Sequence, residues 1–183
     1  MELREVIQLR RSLRSFARTE ISDALLHHLA EAASLAPSCS NNQPWRFVFV
    51  RSPAGLEKVL PTLAPGNATW AKHASLVVVV WSKPELDCQT PDGRDYYQFD
   101  TGMATGFLML AAAEKNLVTH PIAGFDPEAV RKVLGLDETA KVITLLVAGG
   151  RTAEISPELS DWQIKAEAQR PARLGFDAIA SII

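Results

Sequence analysis

Leu76-Val77-Val78-Val79-Val80-Trp81 is the stretch from which the fold is read. A run of apolar, mostly β-branched residues leaves no polar side for water, so it reads as a strand buried on both faces at the centre of a sheet. Trp45 to Val50 is a second such run, Val142 to Ala148 a third candidate, and Leu117 to Ile122 reads as strand or extended loop. Helical signals fill the spaces between them. Leu3, Val6 and Ile7 share one face of a first helix, and Ser22 is placed to cap a second. In that second helix Leu25, Leu26, Leu29, Ala32, Ala33 and Ala36 recur at helical spacing until Pro37 stops it. Pro53 to Leu63 has the pattern of a short helix, Pro65-Gly66-Asn67 reads as a turn, and Pro127 to Leu134 is a helix closed by Gly135. From Phe99 to Lys115 the small residues Gly102, Ala104, Gly106 and Ala111 to Ala113 allow close approach, which predicts a central helix. Helices alternating with strands, without a repeat or a linker, imply an α+β or mixed α/β fold in a single domain, residues 1–183.

The global numbers exclude several classes. Hydrophobic residues at 47% and charged residues at 22% are ordinary for a globular domain, so disorder is not indicated. A net charge of -2 argues against a nucleic-acid or membrane-surface partner, since either selects a basic face. No apolar run is long enough to span a bilayer, and Met1-Glu2-Leu3-Arg4-Glu5 does not resemble a signal-peptide start, so a cytoplasmic protein is expected. The two cysteines, Cys39 and Cys88, lie far apart in sequence without partners at zinc spacing. Reduced thiols and no metal site are expected from that count.

Two polar stretches carry the chemistry. Arg10-Arg11-Ser12-Leu13-Arg14 concentrates three guanidinium groups and a hydroxyl in five residues, an array suited to phosphate because Arg presents a rigid fork of donors. A solvated basic helix end, complementing the helix dipole, is the competing reading. Ala36-Pro37-Ser38-Cys39-Ser40-Asn41-Asn42-Gln43-Pro44-Trp45 is a compact polar loop ending on an aromatic. The tail from Ser156 onward carries Pro and charge, yet closes on the apolar Ile179 to Ile183, which needs a covering surface that a second subunit could supply.

Three motifs in register resemble the nitroreductase family. They are Arg-Arg-Ser-x-Arg from residue 10, Ala-Pro-Ser-x-x-Asn-x-Gln-Pro-Trp at 36–45, and Pro121-Ile122-Ala123-Gly124-Phe125-Asp126 followed by Leu134-Gly135-Leu136. The resemblance covers nearly the whole chain. It implies an α+β fold with a mixed, mainly antiparallel sheet, a homodimer with the C-terminal segment exchanged onto its partner, and FMN at the dimer interface. Arg10 and Ser12 match the positions holding the flavin phosphate, with Arg11 as a helper or backbone contact. Arg14 matches a basic residue near the ribityl chain and pyrimidine, where a cation offsets the charge a reduced ring acquires. Pro37, Ser38, Cys39, Ser40 and Asn41 match a wall placed against the flavin by the partner subunit. Asn67 aligns with an Asn that hydrogen-bonds the pyrimidine, and Ala123 and Gly124 with backbone facing N5. Arg173, in preference to Arg170, resembles a basic residue completing the phosphate site, although the usual Lys-x-Arg spacing is not kept.

Trp70 stands where the family often has a Lys, which puts the pyrimidine environment in question. Gln43 and Trp45 read as residues that hold the loop and strand in place, Cys39 as a packed thiol, and His120 as structural. The activity implied is ping-pong hydride transfer from NADH or NADPH through FMN to a nitroaromatic, quinone or related acceptor, with no catalytic acid or base. The alternatives are the same fold with a different biosynthetic or flavin-cleaving reaction, and a flavin-binding protein with little turnover.

Overall fold

A computed structural model describes the whole chain, residues 1–183. Its four strands are β1 (Arg46–Val50), β2 (Leu76–Ser82), β3 (Leu117–Ile122) and β4 (Lys141–Gly150), in the order β1-β2-β4-β3. All three pairings are antiparallel, so the sheet of one chain is not mixed. The two apolar runs that read as central and buried behave differently. β2 is central, with Leu76 to Val80 fully buried, whereas β1 forms an edge and is only partly covered.

Alternation along β2 splits the core in two. Leu76, Val78 and Val80 point to the side covered by α2 (Asp23–Ser34) and α5 (Tyr96–Glu114), where they meet Leu29, Ala33, Ala104, Leu108 and Ala112. Val77 and Val79 point to the other side and meet Leu56, Val59, Trp70 and Val130. Those residues come from α3 (Pro53–Val59), α4 (Pro65–Ala71) and α6 (Pro127–Leu134). A strand covered on both faces cannot alternate with polar residues, and each buried Val contributes about 2 kcal/mol of transfer energy.

Local rules set most of the boundaries. The Ser22 hydroxyl accepts from the Leu25 amide at 3.2 Å and starts α2. Asp126 caps α6 through the Glu128 and Ala129 amides, and Gly135, at φ 61°, ends it in the left-handed region. Pro65-Gly66-Asn67 is not a free turn but the first turn of α4, because Pro at the first helical position lacks only an N–H that would be unpaired anyway. α1 (Leu3–Leu9) ends at Arg10, and the chain then runs extended past α7 (Asp161–Ala168). Ala17 joins the sheet through paired bonds with Gly150. The last helix, α8 (Phe176–Ile179), and the residues around it leave Leu174, Phe176, Ile179 and Ile182 exposed. No helix is long and apolar enough to cross a membrane.

The expectation of reduced thiols is overturned, because Cys39 and Cys88 form a disulfide. Their distance in sequence misled because the β1–β2 register brings them together. Arg46 pairs with Trp81, and Cys39 lies seven residues before the former (46 − 39 = 7) while Cys88 lies seven after the latter (88 − 81 = 7). The ladder ends there, and the turns at Cys39–Asn41 and Pro84–Leu86, at the same end of the β1–β2 pair, carry the two sulfurs together.

Candidate flavin site

The Arg10–Arg14 segment is held by α7. The buried Glu167 carboxylate accepts the Arg14 amide at 2.9 Å and the Ser15 amide at 3.2 Å. Arg11 donates Nη2 to the carbonyls of Ala166 at 2.6 Å and Glu167 at 2.9 Å, orphan acceptors of the last turn of α7. Arg170 donates Nη2 to the carbonyls of Gln8 and Arg10, both at 2.7 Å. Arg11 and Arg170 therefore fasten backbone to backbone.

Between these segments lies a cavity of about 270 Å³ lined by five arginines, 10, 11, 14, 170 and 173, together with Ser12, His120 and Trp162. None of the five forms an ion pair, and no carboxylate lines the cavity. Arg10 reaches only the Ser12 hydroxyl at 3.2 Å, and the guanidinium groups of Arg14 and Arg173 donate to no acceptor in the chain. The crowding is visible in Arg10, whose pKa is depressed by burial first and then by the charges of Arg170 and Arg173. Burial also depresses Arg14, against an opposing pull from Glu167. Cations gathered without counter-charge make a site for a multiply charged anion.

Arg14 lies with its guanidinium carbon 4.8 Å from the ring centroid of Trp162 and 5.8 Å from that of Trp70. Trp70 is buried, packed against Phe16 and with its ring centroid 4.7 Å from that of His120. The Trp that replaces a Lys is thus a core residue, and the cation beside it belongs to Arg14. His120 places Nδ1 3.1 Å from the Leu13 carbonyl, and burial first, then Arg14, pulls its pKa down to about 4. A neutral ring donating from Nδ1 satisfies that bond and leaves Nε2 as an acceptor.

Further along the same edge, Asn67 donates Nδ2 to the Gly124 carbonyl at 3.1 Å, and Ala64 donates its amide to the same oxygen at 2.9 Å. A Cβ on Gly124 would come within 2.8 Å of Asn67 Nδ2, so a larger residue there would displace the Asn67 amide. The amides of Ala123 and Gly124 donate to nothing in the chain, and Asn67 Oδ1 accepts from nothing. Arg10, Ser12, Arg14 and Arg173 line the cavity beside His120 of β3, while Asn67 and Gly124 meet just past the end of the same strand.

The second motif does not join them within one chain. Pro37 to Asn41 precedes β1, at the opposite edge of the sheet, and no hydrogen bond connects it to residues 10–14 or 123–124. Ser40, Asn41 and Gln43 have positive φ, and the turn is held by Gln43 N donating to Ser38 Oγ at 3.0 Å and Cys39 N donating to Asp100 Oδ2 at 2.7 Å. Pro44 is anchored from β2, where the buried Ser82 hydroxyl donates to its carbonyl. Trp45 is buried as expected.

Four participants were not read from sequence in these roles: Glu167, Trp162, His120 and Arg170. His120 had a signal in its position directly before the Pro121 to Gly124 motif, and Arg170 in its resemblance to a basic residue of the phosphate site; Glu167 and Trp162 had none.

An α+β fold carrying an arginine-lined pocket with no lining carboxylate defines the class as a protein suited to a multiply charged anion. The model of the Nitroreductase family matches residues 7–83 and 63–151. YdgI of Bacillus subtilis, whose assigned name is NAD(P)H nitroreductase, is 28% identical, the match covering 82% of this chain and 88% of that one. A Thermus thermophilus protein named NADH dehydrogenase is 32% identical, with 79% of this chain and 84% of that one covered. A protein of Exiguobacterium sibiricum solved in complex with FMN superposes with a TM-score of 0.82 over 100% of this chain and 98% of that one, at 21% identity. The chain belongs to the nitroreductase family.

Proposed function

We propose that this protein is an FMN-dependent oxidoreductase that takes hydride from NADH or NADPH and delivers it, in a ping-pong cycle, to an electron-poor acceptor such as a nitroaromatic or a quinone. The observation carrying this reading is the cavity lined by five arginines and no carboxylate, beside His120, three residues before the free amide of Ala123. FMN, when bound, supplies the two-electron chemistry linking nicotinamide to acceptor. Arg10, Ser12 and Arg173 hold the phosphate. Arg14, fixed between two indoles, offsets negative charge beside the pyrimidine. Asn67 accepts or donates at the pyrimidine edge, and the Ala123 and Gly124 amides donate to the ring nitrogen that exchanges hydride. His120, neutral at pH 7, is no acid for the acceptor, so protons come from solvent.

The functional unit in this reading is a homodimer. Exposed Leu174, Phe176, Ile179 and Ile182 give the tail an apolar face that a second copy covers, and Pro37 to Asn41 of one subunit closes the flavin site of the other. We place the reaction in the cytosol, where reduced nicotinamide is available. The deciding experiment is the visible spectrum of the purified protein, before and after anaerobic addition of each nicotinamide, followed by a panel of acceptors. Flavin absorbance that bleaches rapidly and returns with a nitroaromatic or quinone supports the proposal. A protein that takes up no FMN, or whose bound FMN is not reduced by either nicotinamide, refutes it.

A further inference from the structure

The Cys39–Cys88 bridge sits on two buried carboxyls that a purely structural staple would not need. Asp87 uses Oδ1 to accept the Cys88 amide at 2.8 Å and Asn42 Nδ2 at 3.3 Å, while its Oδ2 is buried without a donor. Asp100 uses Oδ2 to accept the Cys39 amide, and its Oδ1 is likewise buried without a donor. Asp100 is 1% exposed and Asp87 7%. Two such oxygens are satisfied together when one carboxyl keeps its proton and donates it to the other. Burial first, and then the Asp87 carboxyl, raise the pKa of Asp100, in agreement with that arrangement.

The Asp87 carboxyl adjoins the sulfurs. Cys39 and Cys88 are half-exposed, and an Asp87 oxygen and both sulfurs lie within 4.8 Å of one another. Asn42 Nδ2 is 3.5 Å from Cys88 Sγ and the Ser40 hydroxyl is 3.8 Å from it, so a developing negative charge on that sulfur has two donors waiting. Thiol–disulfide exchange is set by access to the bridge and by stabilisation of the leaving sulfur, and partly exposed cysteines with donors at Cys88 Sγ supply both.

We propose that Cys39 and Cys88 form a reversible dithiol–disulfide site that takes two electrons from an external dithiol, with the Asp87–Asp100 pair as proton store for the departing Cys88 sulfur. A thiolate of the reductant attacks Cys39 Sγ, the S–S bond breaks, and Cys88 leaves with the electron pair and takes the stored proton. The second thiol of the reductant then attacks the mixed disulfide and releases Cys39. The protein ends as a dithiol, the reductant as a cyclic disulfide, and the reductant's two protons balance those on the cysteines and refill the acid pair. Reduction frees the turn of residues 38–43 from the segment after β2. That turn is the wall assigned above to a neighbouring flavin, so an effect on FMN rests on the proposed function, and in that reading a bound flavin, by covering Cys39, slows the exchange that the flavin-free protein shows.

The test is titration of the full-length protein with dithiothreitol, trapping thiols with an alkylating reagent, counting them by mass, and following circular dichroism in the same samples. Two thiols trapped in a protein that keeps its native spectrum, and lost again on adding oxidised glutathione, support the site. Alkylation that appears only as the native spectrum is lost overturns it. Asp100→Asn should slow reduction about tenfold or more, as loss of a positioned acid does, and Asp87→Asn provides a second variant should the first fail to fold. Reduction rates unchanged in the variants that fold overturn the proton store. With FMN bound, the reduced protein should release the cofactor several-fold faster than the oxidised one. A protein that binds no FMN defeats the proposed function and leaves the thiol titration readable.

Discussion

Replacing Arg10 with Ala separates holding a ligand from holding the fold. In the free protein the Arg10 side chain makes one hydrogen bond, to Ser12, and feels the repulsion of Arg170 and Arg173. Losing the first costs at most about 1 kcal/mol and relieving the second returns part of it, so the ligand-free protein should change stability by about 0.5 kcal/mol or less. With phosphate in place the same side chain supplies a charge-assisted bond worth about 1.5–3 kcal/mol, and partial exposure favours the lower end. The FMN dissociation constant should therefore rise about 10- to 30-fold, at about 1.4 kcal/mol per factor of ten. Quenching of FMN fluorescence measures the affinity, and thermal melting of ligand-free protein measures the fold. An affinity within twofold of wild type, or a melting loss matching the binding loss, would falsify the assignment of Arg10 to the phosphate. Salt provides a further check, since 0.5 M KCl should weaken FMN binding in the wild type more than in Arg10→Ala.

Gly124→Ala puts a methyl 2.8 Å from Asn67 Nδ2 and 3.4 Å from the Ala64 side chain, which should displace Asn67. We expect about 1–2 kcal/mol of destabilisation by denaturant titration and a matching drop in FMN affinity; a neutral result on both counts removes Gly124 and Asn67 from the site. Glu167→Gln weakens the acceptor for two backbone amides and should cost about 1–3 kcal/mol, with Glu167→Ala worse, measured by urea midpoint. His120 has a pKa of about 4 when folded against an ordinary 6.5, so the unfolded chain takes up its proton first. Its contribution is complete above pH 6.5 and drains as pH falls toward 4, a loss of about 2–3 kcal/mol that His120→Gln should abolish in urea titrations at pH 7 and 4.5.

Legibility in the sequence followed the range of the interactions. Three strands could be placed from apolar runs while Leu117 to Ile122 stayed open between strand and extended loop, and the Ser22 and Asp126 to Gly135 boundaries obey local capping rules that a short window contains. The start of α5 at Tyr96, three residues before Phe99, does carry a local signal, Asp95 at the N-cap with Gln98 bonded to its carboxylate, which the stretch of small residues further on outweighed. The Arg-rich cavity was legible as to its donors but not as to which were free. That Arg11 and Arg170 are committed to carbonyls depends on where α7 docks, about 160 residues away along the chain. Glu167 carried no local signal for the same reason. The disulfide had only a partial signal, since the β1–β2 register brings the two loops to one end of the sheet but the ladder stops at Arg46 and Trp81, before either cysteine.

The strand order β1-β2-β4-β3 puts the two polar motifs on opposite borders of one sheet, and that separation has a consequence for heredity as well as for chemistry. If each flavin site draws its arginines from one chain and its wall from another, a chain with a ruined wall and a chain with ruined arginines can rescue each other. Their mixed dimer holds one site with both defects and one with neither. Co-expressed, Arg10→Ala and a wall variant at Ser38 should recover FMN in about half the sites of the mixed dimer, although each homodimer alone is deficient at every site. Damage at the two borders would then behave as if it lay in two different genes.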